Sequence, residues 1–181
     1  MTEVLERGEH IFLRRPEAQD AAELIQLNKA SIELHTGWTT PPTTPEQYAM
    51  YLERTQHDDF AGFFVCRSAD GAIVGVVNLS QIFRSPFQNA MMGYYAGAPF
   101  AGQGYMTEAV GLVLKHTFET LLLHRIEANI QPDNLPSIAL AKRLGFTLEG
   151  YSRRYLQIGG HWRDHERWAI LAEDWEVSRS R

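Results

Sequence analysis

Gly97-Ala98-Pro99-Phe100-Ala101-Gly102-Gln103-Gly104-Tyr105-Met106-Thr107-Glu108-Ala109 lies between two regular-looking runs. Before it comes a strand-like run, Ala90-Met91-Met92-Gly93-Tyr94-Tyr95-Ala96, and after it a helix-like run that continues to Phe118. The stretch therefore reads as a glycine-rich turn from strand to helix. Gly102 and Gly104 flank Gln103, so the backbone there can approach a ligand closely and take φ/ψ values closed to other residues. A helix starting near Tyr105 or Met106 offers the unpaired N–H groups of its first turn and the positive end of its dipole. That geometry suits phosphate. The P-loop is excluded because no lysine follows Gly104, and the dinucleotide fingerprint because Thr107 stands where its third glycine belongs. On these residues alone, an ordinary turn with no ligand remains the alternative.

The rest of the chain bounds the answer. Its 181 residues suit one domain with a sizeable core, here expected over residues 8–176, between fraying tails. A net charge of −5 and a pI near 5.8 argue against a broad nucleic-acid surface. The single cysteine, Cys66, sits in the apolar run Phe63-Phe64-Val65-Cys66 and reads as a core thiol. No apolar run reaches membrane-spanning length, and the first residues lack a signal peptide's basic start, so a cytoplasmic location is expected. His35, His161 and His165 lack the spacing and partners of a metal set, so no metal is expected.

Ile11 to Arg15 reads as a first strand ended by Pro16. Asp20 is placed to cap a helix running from Ala21 to about Ser31 or Leu34. The Pro- and Thr-rich stretch from His35 to Pro45 is a loop carrying Trp38, and a second helix begins at Pro45 or Glu46. Trp38 is either a packing anchor or one wall of a substrate site. Strands follow over Gly62–Arg67, Ile73–Leu79 and Ala90–Ala96, with Ile82 to Asn89 as a long connection. The helix after the glycine turn carries an apolar stripe of Met106, Ala109, Val110, Val113 and Thr117. Arg125–Ile130 is another strand, Ser137–Leu144 a short helix closed by Gly145, and two strands flank a Gly159-Gly160 hairpin. The order is β-αα-βββ-α-β-α-ββ, an α+β chain with a mixed sheet.

That order, with three motifs, resembles the GNAT superfamily of N-acetyltransferases. Ala101-Gly102-Gln103-Gly104-Tyr105-Met106 is similar to its pyrophosphate loop, [QR]-x-x-G-x-[GA], with Ala101 and Met106 departing at the two ends. Asn134-Leu135-Pro136-Ser137 followed by Leu144-Gly145-Phe146 resembles its N-x-x-[SA]…LGF motif. Trp162-Arg163-Asp164-His165 after a glycine turn, the strand from Ile73 to Asn78 and the loop tryptophan resemble the ribosomal-protein-alanine (RimJ-type) branch. The likeness covers about Ile11 to Trp175. It implies a mostly antiparallel sheet flanked by helices and splayed at the strand before the loop. It implies acetyl-CoA as co-substrate, held by the backbone from Tyr94, Tyr95 and Ala96 through Ala101, Gly102, Gln103, Gly104, Tyr105, Met106 and Thr107. Asn134 would contact the pantetheine arm, and Ser137 would return a proton to the sulfur. Each also has a plainer reading, Asn134 as a turn residue and Ser137 as part of a first helical turn.

The group that deprotonates the amine stays open. The serine-specific relatives carry a glutamate where this chain has Leu156, so that role does not carry over. Glu108 and Asp164 are the candidates, alongside a proton routed through solvent. Trp38, Tyr155 and Trp162 are the expected acceptor contacts, with Asp164 nearby. The acceptor is expected to be a protein N-terminus or a small amine, with no nucleic acid or membrane partner, and homodimerisation is left open. An α-amine, with a pKa of about 8 against about 10.4 for lysine, is deprotonated more easily by an enzyme lacking a strong base. A rate rising with pH through that pKa is therefore expected. The other class of reading is an acyl-CoA-binding sensor that transfers nothing.

Overall fold

In a computed structural model, residues 3–179 are described. Eight strands form one sheet: β1 (Val4–Arg7), β2 (Ile11–Arg14), β3 (Phe60–Arg67), β4 (Ile73–Phe83), β5 (Asn89–Ala96), β6 (Arg125–Ile130), β7 (Thr147–Ile158) and β8 (His161–Leu171). Their spatial order is β1-β2-β3-β4-β5-β6-β8-β7. Every neighbouring pair is antiparallel except β5 and β6, which run parallel. The helices are α1 (Ala21–Lys29), α2 (Ile32–His35), α3 (Pro45–Arg54), α4 (Tyr105–Glu119), α5 (Leu135–Arg143) and α6 (Ala172–Arg179). The expected α+β architecture, with a mostly antiparallel sheet between helices, is what the chain forms.

Both faces of the sheet are covered, and β3 shows why its sequence carries no polar side chain from Phe60 to Cys66. Phe63 and Val65 face the core shared with α4 and α5, whereas Phe64 and Cys66 face the smaller core under α1 and α3. Strand side chains alternate between faces, so a strand buried on both sides needs apolar residues throughout. The stripe read from α4 is buried at Ala109, Val110, Val113 and Thr117, joined by Leu114. Cys66 is a fully buried thiol, and burial pushes its pKa up to about 11.

Four expected boundaries are corrected. The sheet begins before residue 8: Val4–Arg7 pair with β2, and Glu6 accepts a 2.6 Å hydrogen bond from Lys115 of α4. At the other end, helix α6 runs past Glu176. The first helix stops at Lys29 and a separate α2 follows Ser31, whose hydroxyl donates to Leu27 O and accepts from Ala98 N. Strand β4 extends to Phe83, so part of the expected connection is paired.

Asp20 does not cap α1. Its carboxylate takes the Arg14 guanidinium in a two-pronged ion pair, both bonds 2.7 Å, and also accepts from Glu17 N. The pair is nearly sealed, with side-chain exposures of 10% and 8%, and the guanidinium also lies over the Phe64 ring. Removing one member of a buried pair strands the other charge, at a cost of about 3–5 kcal/mol. Asp20→Ala should lower the unfolding free energy by about that amount in a denaturant titration. A loss below about 1 kcal/mol, the surface-pair range, would show the bridge to be solvated.

Candidate active site

Strands β5 and β6 are paired only over Asn89–Met91 and Arg125–Glu127. Beyond Met91 they part. Strand β5 stays with β4 as far as Ala96, and β6 stays with β8 as far as Ile130. Gly97 N donates to Val74 O, so by alternation the backbone groups of Met92, Tyr94 and Ala96 turn away from β4 toward the opening. A cavity of about 690 Å³ fills the gap between the strands.

The glycine turn closes one end of this cleft. Gly102 and Gly104 have φ of +74° and +85°, the left-handed region that a side chain strains. Nothing lies within 4 Å of where a Cβ would sit on either, so the backbone there is open to a ligand. Gly104 is the N-cap of α4, and Tyr105 to Thr107 form its first turn at the cleft. Arg143, in the last turn of α5, lines the same end and donates a 3.0 Å hydrogen bond to the Thr107 hydroxyl. Unpaired amides, a helix dipole and a guanidinium together suit a polyphosphate.

Helix α5 supplies the far wall. Asn134 caps it, its side chain accepting from Ser137 N at 3.3 Å. The plain turn role of Asn134 is thus present in the structure, and both residues also line the cleft. The Tyr94 hydroxyl donates to Ser137 O at 3.3 Å, tying the β5 edge to α5, and burial pushes the phenol up to about 12. The Ser137 side chain also interacts with the Tyr94 phenol, which opposes part of that upward shift.

The other expected residues divide. Tyr95, Ala96, Ala101, Met106 and Trp38 line the cleft. Gln103 does not; its side chain folds back to donate to Pro99 O at 2.8 Å. Glu108 is not at the cleft: its carboxylate accepts from His10 N at 2.9 Å and lies 3.2 Å from the His10 ring, pinning the turn between β1 and β2 onto α4. Asp164 accepts from the Tyr151 hydroxyl and Arg154 N, which hold its carboxyl below the usual range. It secures the irregular register between β7 and β8, where Arg154 has φ +48°. Trp162 is exposed on that hairpin, and Tyr155 packs against the His165 ring with centroids 6.3 Å apart. Neither lines the cleft.

Several cleft residues were not singled out in the sequence as site residues: Arg143, Asn129, Gln131 and two histidines. His35 is 5% exposed; its Nε2 is 2.8 Å from Ala96 O, and its Nδ1 is buried with no partner. His165 is 3% exposed, with Nδ1 3.0 Å from Arg163 O. The sequence placed His165 only within the Trp162-Arg163-Asp164-His165 run, and its cleft-facing position depends on the register of β8. Among the described residues, no group of three or more His, Cys, Asp or Glu is placed to hold a metal ion.

Comparison with known proteins gives this geometry its family. Residues 10–147 match the acetyltransferase (GNAT) domain model. A probable N-acetyltransferase of Bacillus subtilis (strain 168), YjcK, is 34% identical over 93% of this chain and 97% of its own. The ribosomal protein uS5-alanine N-acetyltransferase of Escherichia coli (strain K12) is 41% identical over 59% of this chain and 55% of its own. Mycobacterium smegmatis RimJ in complex with CoA-disulfide superposes with a TM-score of 0.82 at 27% identity, covering 94% of this chain and 90% of that one. The chain belongs to the GNAT family of acetyl-CoA-dependent N-acetyltransferases. The split strand and open glycine turn fit acetyl-CoA.

Gly104→Asp would set a negative side chain and a strained φ where the phosphates are expected. The KM for acetyl-CoA should rise roughly tenfold or more, equivalent to losing about 1.4 kcal/mol of binding or more. An unchanged KM in a folded variant would remove the turn from the site.

Proposed function

We propose that this N-acetyltransferase acts on the N-terminal α-amine of a protein, in the cytoplasm, by direct attack of the amine on bound acetyl-CoA. The observation that carries the reading is the unpaired edge of β5, which opens into one cleft together with Ser137 and Trp38. An extended ligand arm can pair with the backbone of Tyr94 and Ala96 as an added strand. One of those amides then polarises the thioester carbonyl. Ser137 lies on the opposite wall beside the Tyr94 phenol, and its hydroxyl is suited to give the departing thiolate its proton. The 41% identity to a ribosomal-protein-alanine N-acetyltransferase supports an α-amine acceptor. So does Trp38, an aromatic 38% exposed at the cleft, against which an extended peptide can lie.

Two variants separate the roles. Ser137→Ala should lower kcat by about 10²-fold, the usual scale for a lost acid, with acetyl-CoA affinity little changed. A near-normal kcat would leave Ser137 as a helix-start residue only. Trp38→Ala should raise the KM for a peptide with a small first residue by about tenfold, an interface hot-spot scale, and leave acetyl-CoA binding alone. Peptides and small amines are assayed side by side by mass spectrometry. Transfer to small amines alone would overturn the N-terminal acceptor.

A further inference from the structure

We infer that His165 is the catalytic base, taking the proton from the attacking amine through Nε2. The inference rests on the amine-transfer reading above and supplies the group that the sequence left unassigned.

Three observations carry it. First, position: β8 pairs with β6 through Ile130 and Glu166, so His165 lies one step further, level with Gln131, at the end where β5 and β6 have parted. It lines the same cleft as Ser137, Tyr94 and Trp38. Second, tautomer: its Nδ1 is 3.0 Å from Arg163 O. A carbonyl oxygen only accepts, so Nδ1 carries the hydrogen and Nε2 carries the lone pair. Third, availability: Nε2 has no protein partner among the described residues, and it is not one of the sealed polar atoms.

The alternatives fail on the same tests. His35 has the opposite tautomer, because its Nε2 faces Ala96 O, and its remaining lone pair on Nδ1 is buried. Glu108 is engaged at the turn between β1 and β2, and Asp164 is engaged by Tyr151 and Arg154.

The surroundings keep the imidazole neutral. Burial lowers its pKa below the ordinary value of 6.5, opposed by the Arg163 carbonyl and the Asp164 charge. Facing it from β7 is Tyr155; on its own strand stand Arg163 and Asp164; Ile130 and Gln131 at the end of β6 are uncharged. Near neutral pH the ring is thus already in its proton-accepting form. In the reaction the amine nitrogen bonds to the thioester carbon and the carbon–sulfur bond breaks. The nitrogen's surplus proton passes to Nε2, the thiolate takes one from Ser137 or water, and solvent exchange resets both groups. One proton is lost at nitrogen and one gained at sulfur.

His165→Asn keeps an N–H able to reach Arg163 O and removes the distal lone pair. With saturating acceptor, its kcat should fall about 10²-fold while the Kd for CoA, by calorimetry, stays unchanged. Both proteins should show a limb at the amine's pKa of about 8, and wild-type kcat should show a second acid limb below the ordinary histidine value of about 6.5 that the variant lacks. Nitrogen NMR of the unmodified protein should show the His165 ring protonated on Nδ1 alone above neutral pH. A variant with near-normal kcat and an unchanged pH profile would overturn the assignment. So would an Nε2-protonated ring, a readout that needs neither turnover nor a stable variant. If only small amines react, the acceptor class is wrong, and the variant-to-wild-type ratio on those amines still decides the base.

Discussion

The parting of β5 from β6 after Met91 is the constraint on which the functional cleft depends. Each strand keeps its outer partner, β4 for one and β8 for the other, so the sheet stays anchored on both sides of the gap. The inner edges are left with backbone polar groups that no strand satisfies, a costly arrangement unless water or a ligand takes them. Ala96 O is taken by His35. The neighbouring groups on the β5 edge remain available to an extended ligand arm, which turns a defect of the sheet into a binding surface.

The loop that carries Trp38 is tied to this edge by a small set of polar contacts. Ser31 accepts from Ala98 N just after β5, and Asn28 donates to Pro42 O. From across the cleft, Gln131 donates to Gly37 O at 2.7 Å. These bonds span both sides of the cleft, so the acceptor loop and the cofactor strand hold a common geometry. An arrangement of this kind positions two substrates within one site, which is what direct transfer requires.

The carboxylates show how the same chemistry serves structure when geometry directs it elsewhere. Glu108 sits four residues past Gly104, yet its side chain lies against the turn at His10 and Ile11, where a Cβ on Gly8 would strike it. Asp164 sits beside His165 in the chain and yet braces the β7–β8 hairpin. In a strand adjacent side chains point to opposite faces, so of these two neighbours only the histidine reaches the cleft.

Local sequence determined a good deal by itself. The two glycines around Gln103, the cap at Asn134 and the glycine after α5 have a meaning set by φ/ψ limits and first-turn N–H groups, which depend on near neighbours. The apolar period of α4 likewise foretold its buried face. Strand β1 was missed because four residues with mixed polarity carry no period and become a strand only by pairing with β2. The break at Lys29 was missed because no Gly or Pro marks it, and Ser31 just beyond it is held by Ala98, far along the chain. Only the tertiary structure brought His35, Arg143 and His165 to one cleft with the glycine turn. It alone decided which ring nitrogen of His165 is open and where Glu108 and Asp164 spend their charges. Those outcomes rest on contacts between residues distant in sequence and on which face a strand presents after its register is set, and neither is written in local composition.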